Sequence, residues 1–304
     1  MSQKKQKIFL GLRRFYSSYF DRHVVLVIDL SNHRVGNNSL IGKRLSKCEN
    51  VQYLTLNLDK SQLKAVGTQK LCDGIIKCSK LISLNINLSC NKILDEGVSS
   101  LGACIKSISN LTELILDLTL NHIGTKGGND IVAAITSCQN LKKLTLIANC
   151  NRYWDQEDFK LLGSFIAKNQ NLYSVILSFF NCWFFRHWEY MDLATIIERK
   201  DLQNLDINFS SSSKKIKNHP CFIPPTIPCQ SNLLSLRLYL GKNYNIEKDF
   251  KQNFFSALAK CVNLIYLEFE IRFCGDTVEA QQKCRSQILK IKRLVQKTVF
   301  IQIQ

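Results

Sequence analysis

A repeat of about thirty residues runs through most of the chain and constrains its fold more than any other feature. A leucine or valine opens each unit, and of the eight steps between these residues five are 30 residues long and three are 31. A period of this length is typical of solenoids, in which one strand and one helix per unit stack on the next unit. The opening residues are Val51, Leu81, Leu111, Leu141, Leu172, Leu202, Leu233, Leu264 and Leu294, and a degenerate first unit begins near His23.

Each unit contains two apolar patterns in succession. In the unit that opens at Leu81, apolar side chains occupy every second position at Leu84, Ile86 and Leu88. This alternation indicates a strand with one buried face. Apolar residues spaced by four follow, and this spacing indicates a helix that packs one stripe on the strand. Asn or Cys occupies the position ten residues after the opening residue of most units. A buried side chain there can form hydrogen bonds with the backbone of the turn that leaves the strand. This column contains Asn91, Asn121, Asn151, Cys182, Asn243 and Cys274.

The repeat resembles the ribonuclease-inhibitor-like class of leucine-rich repeats over about residues 23–304. It is also similar to the large ciliate family of such proteins, in which some members are joined to a protein kinase domain. The resemblance implies an α/β, right-handed horseshoe solenoid, with about nine to ten parallel strands on the concave face and helices on the convex face. The chain itself has no Gly-rich loop, HRD or DFG sequence, so we expect no kinase activity.

The sequence divides into an N-terminal segment and a repeat domain. Residues 1–22 are basic and amphipathic, with Ile8, Leu12 and Phe15 on one face of a predicted helix. This helix would be a cap on the first repeat or a targeting segment, so a cytoplasmic location and a mitochondrial one are both open. Residues 23–304 form the repeat domain, which we expect to replace one helix by an irregular loop at 210–232, where all four prolines lie.

Neither a catalytic site nor a cofactor site is predicted. The chain has 13 cysteines but no CxxC pair and only five histidines, so a zinc site has no framework. Cys48, Cys78, Cys138 and Cys261 each lie three residues before the opening residue of a unit, where we expect small buried side chains at the helix ends. Because neither a catalytic nor a cofactor site is predicted, we expect a non-enzymatic protein. No apolar run is long enough to cross a bilayer.

Charge is unevenly distributed along a chain whose formal net charge is +17. Residues 1–20 contribute +5, residues 211–230 contribute +3 and residues 277–297 contribute +5. By contrast, the predicted concave face carries seven acidic and three basic residues, together with tyrosines and apolar residues that suit a protein interface. A basic patch is formed by Lys283, Arg285, Lys290, Lys292 and Arg293.

Two hypotheses about function follow from this uneven distribution of charge. The first is a non-catalytic scaffold that binds a partner protein through the concave sheet. The alternative is a structural subunit of an RNA-containing or microtubule assembly, docked through the basic terminal segments, since phosphate contacts favour basic surfaces. The predicted partner-binding residues are Tyr53, Asp117, Phe180, Asp206, Arg237, Tyr239, Tyr266, Glu268 and Glu270.

Overall fold

The computed structural model of the chain forms two compact units, Met1–Asp158 and Phe159–Gln304. The residues that it describes are 6–10, 22–37, 40–151, 154–182, 196, 199–210, 232–243, 263–273 and 296–303. The prolines of the predicted loop and the residues of the basic patch lie outside these ranges.

The first unit alternates parallel strands with helices. Its strands pair in chain order, each with the next, and always in parallel. The strands are β1 (Gln6–Phe9), β2 (Val25–Asp29), β3 (Tyr53–Asn57), β4 (Ser83–Asn87), β5 (Glu113–Asp117) and β6 (Lys143–Ile147). The helices are α1 (Leu40–Leu45), α2 (Lys64–Ile75), α3 (Leu94–Ser107) and α4 (Thr125–Ser137).

The second unit continues the same parallel pattern. Helix α5 (Gln156–Lys168) precedes β7. Five strands then pair in chain order. They are β7 (Ser174–Ser178), β8 (Asn204–Asn208), β9 (Ser235–Asn243), β10 (Tyr266–Phe273) and β11 (Gln296–Ile303). The predicted α/β class, with parallel strands one repeat apart, is confirmed.

Burial alternates along β2, β3, β5, β6, β7 and β8, as the sequence predicts. Leu54 and Leu56 of β3 are buried, while Tyr53, Thr55 and Asn57, which alternate with them, are half-buried or exposed. The buried side chains form the core between the strands and the helices. The side chains between them form what we call the strand face, which is the surface predicted to bind a partner.

The asparagine column ties neighbouring repeats together. Asn91 is 1% exposed, and its Nδ2 donates to the carbonyl oxygens of Leu58 and Leu88 at 2.6 and 2.9 Å. Its Oδ1 accepts the backbone N–H groups of Ser61 and Leu63, both at 3.0 Å. One side chain therefore satisfies buried backbone groups of two repeats. The sequence predicts hydrogen bonds only to the turn that leaves the strand, so the observed role is wider.

The N-terminal segment differs from the prediction. Residues 6–9 were expected to lie in an amphipathic helix, but they form strand β1 in parallel register with β2, so the helical prediction is wrong there. Phe9 is buried and its ring meets that of His23 edge-on at 5.6 Å. The backbone groups of β2 thereby gain partners, and this pairing outweighs the helical periodicity of the segment. It also brings the number of strands to six in the first unit and five in the second, among the described residues, against the nine to ten expected.

The described members of the cysteine column are buried at the helix ends, as predicted, whereas Cys261 lies outside the described residues. Cys48, Cys78 and Cys138 are at most 8% exposed. Arg199 occupies the same position relative to the opening residue of its own repeat. Its Nη1 and Nη2 donate to the carbonyl oxygens of Ile166 and Leu172 at 2.8 and 2.7 Å. Burial lowers the pKa of this guanidinium, although two well-formed hydrogen bonds compensate the lost solvation.

Candidate functional site

Three neighbouring strands of the second unit place charged side chains in one row of the strand face. Asp206 of β8 is the register partner of Arg237 of β9, which is in turn the partner of Glu268 of β10. The three residues are separated by 31 positions each, so they occupy the same place in successive repeats. Side chains at register-paired positions on one face lie within contact distance of one another, so their charges interact.

Arg237 bridges the two carboxylates. Its Nη1 donates to Asp206 Oδ2 at 3.1 Å. Its Nε lies 3.4 Å from Glu268 Oε2, an ion-pair contact that lacks hydrogen-bond geometry. The Asp206 and Glu268 side chains are only 21% and 17% exposed, so water screens these charges less than at an open surface.

Two tyrosines complete this network. Tyr266 donates its hydroxyl to Glu268 Oε2 at 2.6 Å, and the Arg237 guanidinium carbon lies 4.6 Å from the centre of the Tyr266 ring. Burial and a hydrogen bond to Glu268 raise the pKa of the Tyr239 hydroxyl, so Tyr239 remains a neutral donor at physiological pH. We call these five residues, Asp206, Arg237, Tyr239, Tyr266 and Glu268, the charged ladder.

The charged ladder has more negative than positive charge. Its two carboxylates face one guanidinium, which leaves a formal charge of −1. Burial raises the pKa of Asp206, and the hydrogen bond from Arg237 only partly opposes this effect. The site therefore holds a carboxylate that is partly removed from water and whose charge Arg237 compensates only in part.

The other predicted partner-binding residues do not join the charged ladder. Tyr53 lies on β3 of the first unit and is 37% exposed. Phe180 follows β7 and is half-buried. The backbone of Glu270 is the register partner of Tyr239, and its side chain is outside the described part of the structure. The basic patch is also outside, so docking on RNA or a microtubule stays a prediction.

Asp117, the remaining predicted residue, has a structural role that the sequence analysis missed. Its Oδ1 accepts the backbone N–H of Thr119 at 3.0 Å and so closes the turn after β5. Asn87 does the same for Ser89 at 2.9 Å, and Asn208 for Ser210 at 3.0 Å. The signal was present in the sequence, because Asp or Asn recurs six residues after the opening position: Asp29, Asn57, Asn87, Asp117 and Asn208.

The described ranges contain neither a cluster of metal-binding side chains nor a helix suited to a bilayer. No group of three or more His, Cys, Asp or Glu side chains is arranged there to hold a metal ion. No helix within those ranges combines the length and the apolar composition needed to span a bilayer.

Comparison with known proteins gives no family. No family model matches the chain, and no curated protein matches it significantly. Among solved structures, a crystal structure of a TDR receptor is similar with a TM-score of 0.39 and 12% identity. The match covers 91% of this chain and 47% of that receptor chain, so this chain spans about half the length of the receptor.

Proposed function

We propose that the chain is a non-catalytic scaffold that binds a polypeptide through the strand face of its second unit. A single observation carries the proposal. The charged ladder gathers two tyrosines, an arginine and two carboxylates on adjacent strands, and all five are partly open to solvent. Tyr and Arg are enriched among the few residues that dominate binding at protein interfaces, since each combines a large apolar surface with a polar group.

The shape of this face supports a polypeptide as the partner. The described strand-face side chains of β7 to β10 are all half-buried, so they form a shallow surface with many contact points. Ile176, Tyr239 and Tyr266 offer apolar area between hydrogen-bonding groups such as Asn204 and Ser235. A mixture of this kind is typical of protein interfaces, which combine an apolar centre with polar surroundings.

Selection from a random peptide display library on the immobilised chain tests the proposal. We expect binders to be enriched, and the double variant Ile176→Ala, Tyr239→Ala to weaken them at least tenfold. A matched control is Leu161→Ala, which removes an apolar side chain that is 48% exposed on α5. Equal losses in both variants, or no loss in the double variant, would refute the strand face as the binding surface.

We further propose that the chain is a leucine-rich-repeat protein of the ribonuclease-inhibitor-like class. The support is the period of 30 or 31 residues and the buried asparagines that link one repeat to the next. If the repeats are equivalent modules, deleting residues 81–110 removes one whole unit and should leave a cooperatively folding chain. Deleting residues 96–110, which removes half a unit, should abolish cooperative thermal unfolding. Similar behaviour of both deletions would contradict the assignment.

A further inference from the structure

One oxygen of Asp206 has no hydrogen-bond donor among the described residues. Asp206 Oδ2 accepts the hydrogen bond from Arg237 Nη1. No donor from the described residues reaches Oδ1, and the side chain is only 21% exposed. Asp206 Oδ1 keeps contact with solvent, so a ligand can reach it, and a cationic donor gains a charge-assisted hydrogen bond to a carboxylate whose surroundings are mostly protein.

An apolar side chain lies beside this oxygen. Ile176 of β7 is the register partner of Asp206, on the side opposite Arg237. The open side of Asp206 is therefore bordered by a half-buried isoleucine. A side chain that fits has an apolar stem to cover Ile176 and a cationic head to reach Asp206 Oδ1. Lys and Arg have this structure.

An anionic ligand fits the same place poorly. Arg237 is the cation to which it would bind, but Asp206 and Glu268 flank that guanidinium and the Tyr266 ring covers one of its faces. An incoming carboxylate or phosphate would have to displace one of these groups, and the remaining carboxylate would repel it. The formal charge of −1 of the charged ladder adds to the preference for a cation.

We infer that the bound polypeptide lays the stem of a Lys or Arg side chain over Ile176 and places its cationic head on Asp206 Oδ1. This inference rests on the proposed polypeptide-binding function and specifies the residue that the charged ladder selects. Arg is favoured over Lys because its planar guanidinium stacks on side chains while donating to a carboxylate.

A double-mutant cycle on the library-selected peptides tests the inference. We expect the enriched peptides to contain Arg or Lys, and replacement of that Arg by citrulline, its neutral near-isostere, to weaken binding to the wild-type chain about tenfold. A tenfold change corresponds to about 1.4 kcal/mol. In Asp206→Asn the same replacement should change affinity less than twofold, because the acceptor charge is gone.

The control variant is Asp201→Asn, which removes an equal charge from an exposed aspartate in the turn before β8. It should retain the full citrulline effect. Peptides that bind through Ile176 and Tyr239 but show no coupling to Asp206 would overturn the cation inference and leave the proposed function standing. A library that yields no binder dependent on the strand face would refute the proposed function, and the inference with it.

Discussion

The Oδ1 atom of Asn121 accepts the backbone N–H of Asn91, thirty residues earlier, at 3.0 Å. The same oxygen accepts the N–H of Ile93 at 3.3 Å, and Nδ2 of Asn121 donates to the carbonyl oxygen of Leu88 at 2.8 Å. Asn121 is 0% exposed, so water cannot replace these partners. The next repeat does the same, since Asn151 Oδ1 accepts the N–H of Asn121 at 3.0 Å.

Replacing Asn121 by alanine should therefore destabilise the chain strongly. The change leaves two buried N–H groups and one buried carbonyl without this partner, and each such group costs about 1–3 kcal/mol. We expect the free energy of unfolding to fall by about 3 kcal/mol or more, measured by urea denaturation. Asn85→Ala is the control, because Asn85 lies half-buried on the strand face of β4. Similar losses in the two variants would show that the column does not stabilise the repeats.

A buried carboxyl makes stability depend on pH. Asp155 and Asp158 exchange hydrogen bonds at the start of α5: the Asp155 N–H donates to Asp158 Oδ2 at 3.1 Å, and the Asp158 N–H to Asp155 Oδ1 at 3.0 Å. Asp158 is 0% exposed and its Oδ1 has no hydrogen-bond partner in the described structure. Burial raises the pKa of Asp158 to about 7, helped by the charge of Asp155 and opposed by the Asp155 N–H.

Because this pKa is raised on folding, the folded chain binds the proton more tightly than the unfolded chain does. The free energy of unfolding should therefore fall as pH rises from about 4 to about 7 and level off above. The total effect is on the order of 4 kcal/mol, because the pKa rises from 3.8 to about 7 and each pKa unit corresponds to about 1.4 kcal/mol. In Asp158→Asn this contribution should disappear, whereas Asp73→Asn, at an exposed position of α2, should retain it. Urea denaturation at pH 5 and at pH 8 measures how much the free energy of unfolding changes between the two pH values. An equal change in the wild-type chain and both variants would contradict the assignment.

The regular parts of the fold could be predicted from sequence because they depend on backbone geometry that recurs in every repeat. The period of the leucines located β3 to β10, and the asparagine column followed from the same alignment. Side-chain partnerships were harder to predict. The spacing placed Asp206, Arg237 and Glu268 on one face, but which carboxylate each guanidinium nitrogen meets depends on rotamers and packing. Strand β1 was missed because its pairing with β2 is a tertiary contact that overrides local periodicity.

A glycine pair brings two helices of the first unit into backbone contact. A Cβ built on Gly42 would lie 1.9 Å from the Lys70 carbonyl oxygen, and one built on Gly74 would lie 2.1 Å from the Gly42 carbonyl oxygen. Gly42→Ala should therefore force α1 and α2 apart and lower the free energy of unfolding by about 1–3 kcal/mol or more.

The matched control for this substitution is Gly102→Ala in α3, where the nearest atom, the Asp130 carbonyl oxygen, would lie 3.0 Å from the new Cβ. A small helix shift relieves this contact, and alanine favours the helix over glycine by about 1 kcal/mol. We expect near-neutral stability for Gly102→Ala, measured by urea denaturation beside Gly42→Ala. Equal destabilisation in the two variants would show that the close approach of α1 and α2 is not what requires Gly42.

Thiol reactivity should divide the described cysteines into two groups. Burial raises the pKa values of Cys48 and Cys78 to about 12, so almost no reactive thiolate forms at neutral pH. Cys90 and Cys150 are only half-buried, in the turns after β4 and β6. In the folded chain at pH 8, iodoacetamide should modify Cys90 and Cys150 at least tenfold faster than Cys48 and Cys78, measured by peptide mass spectrometry. In urea the four rates should converge, because access and solvation become equal. If Cys48 reacted as fast as Cys90 in the folded chain, the cysteine column would not be closed to solvent.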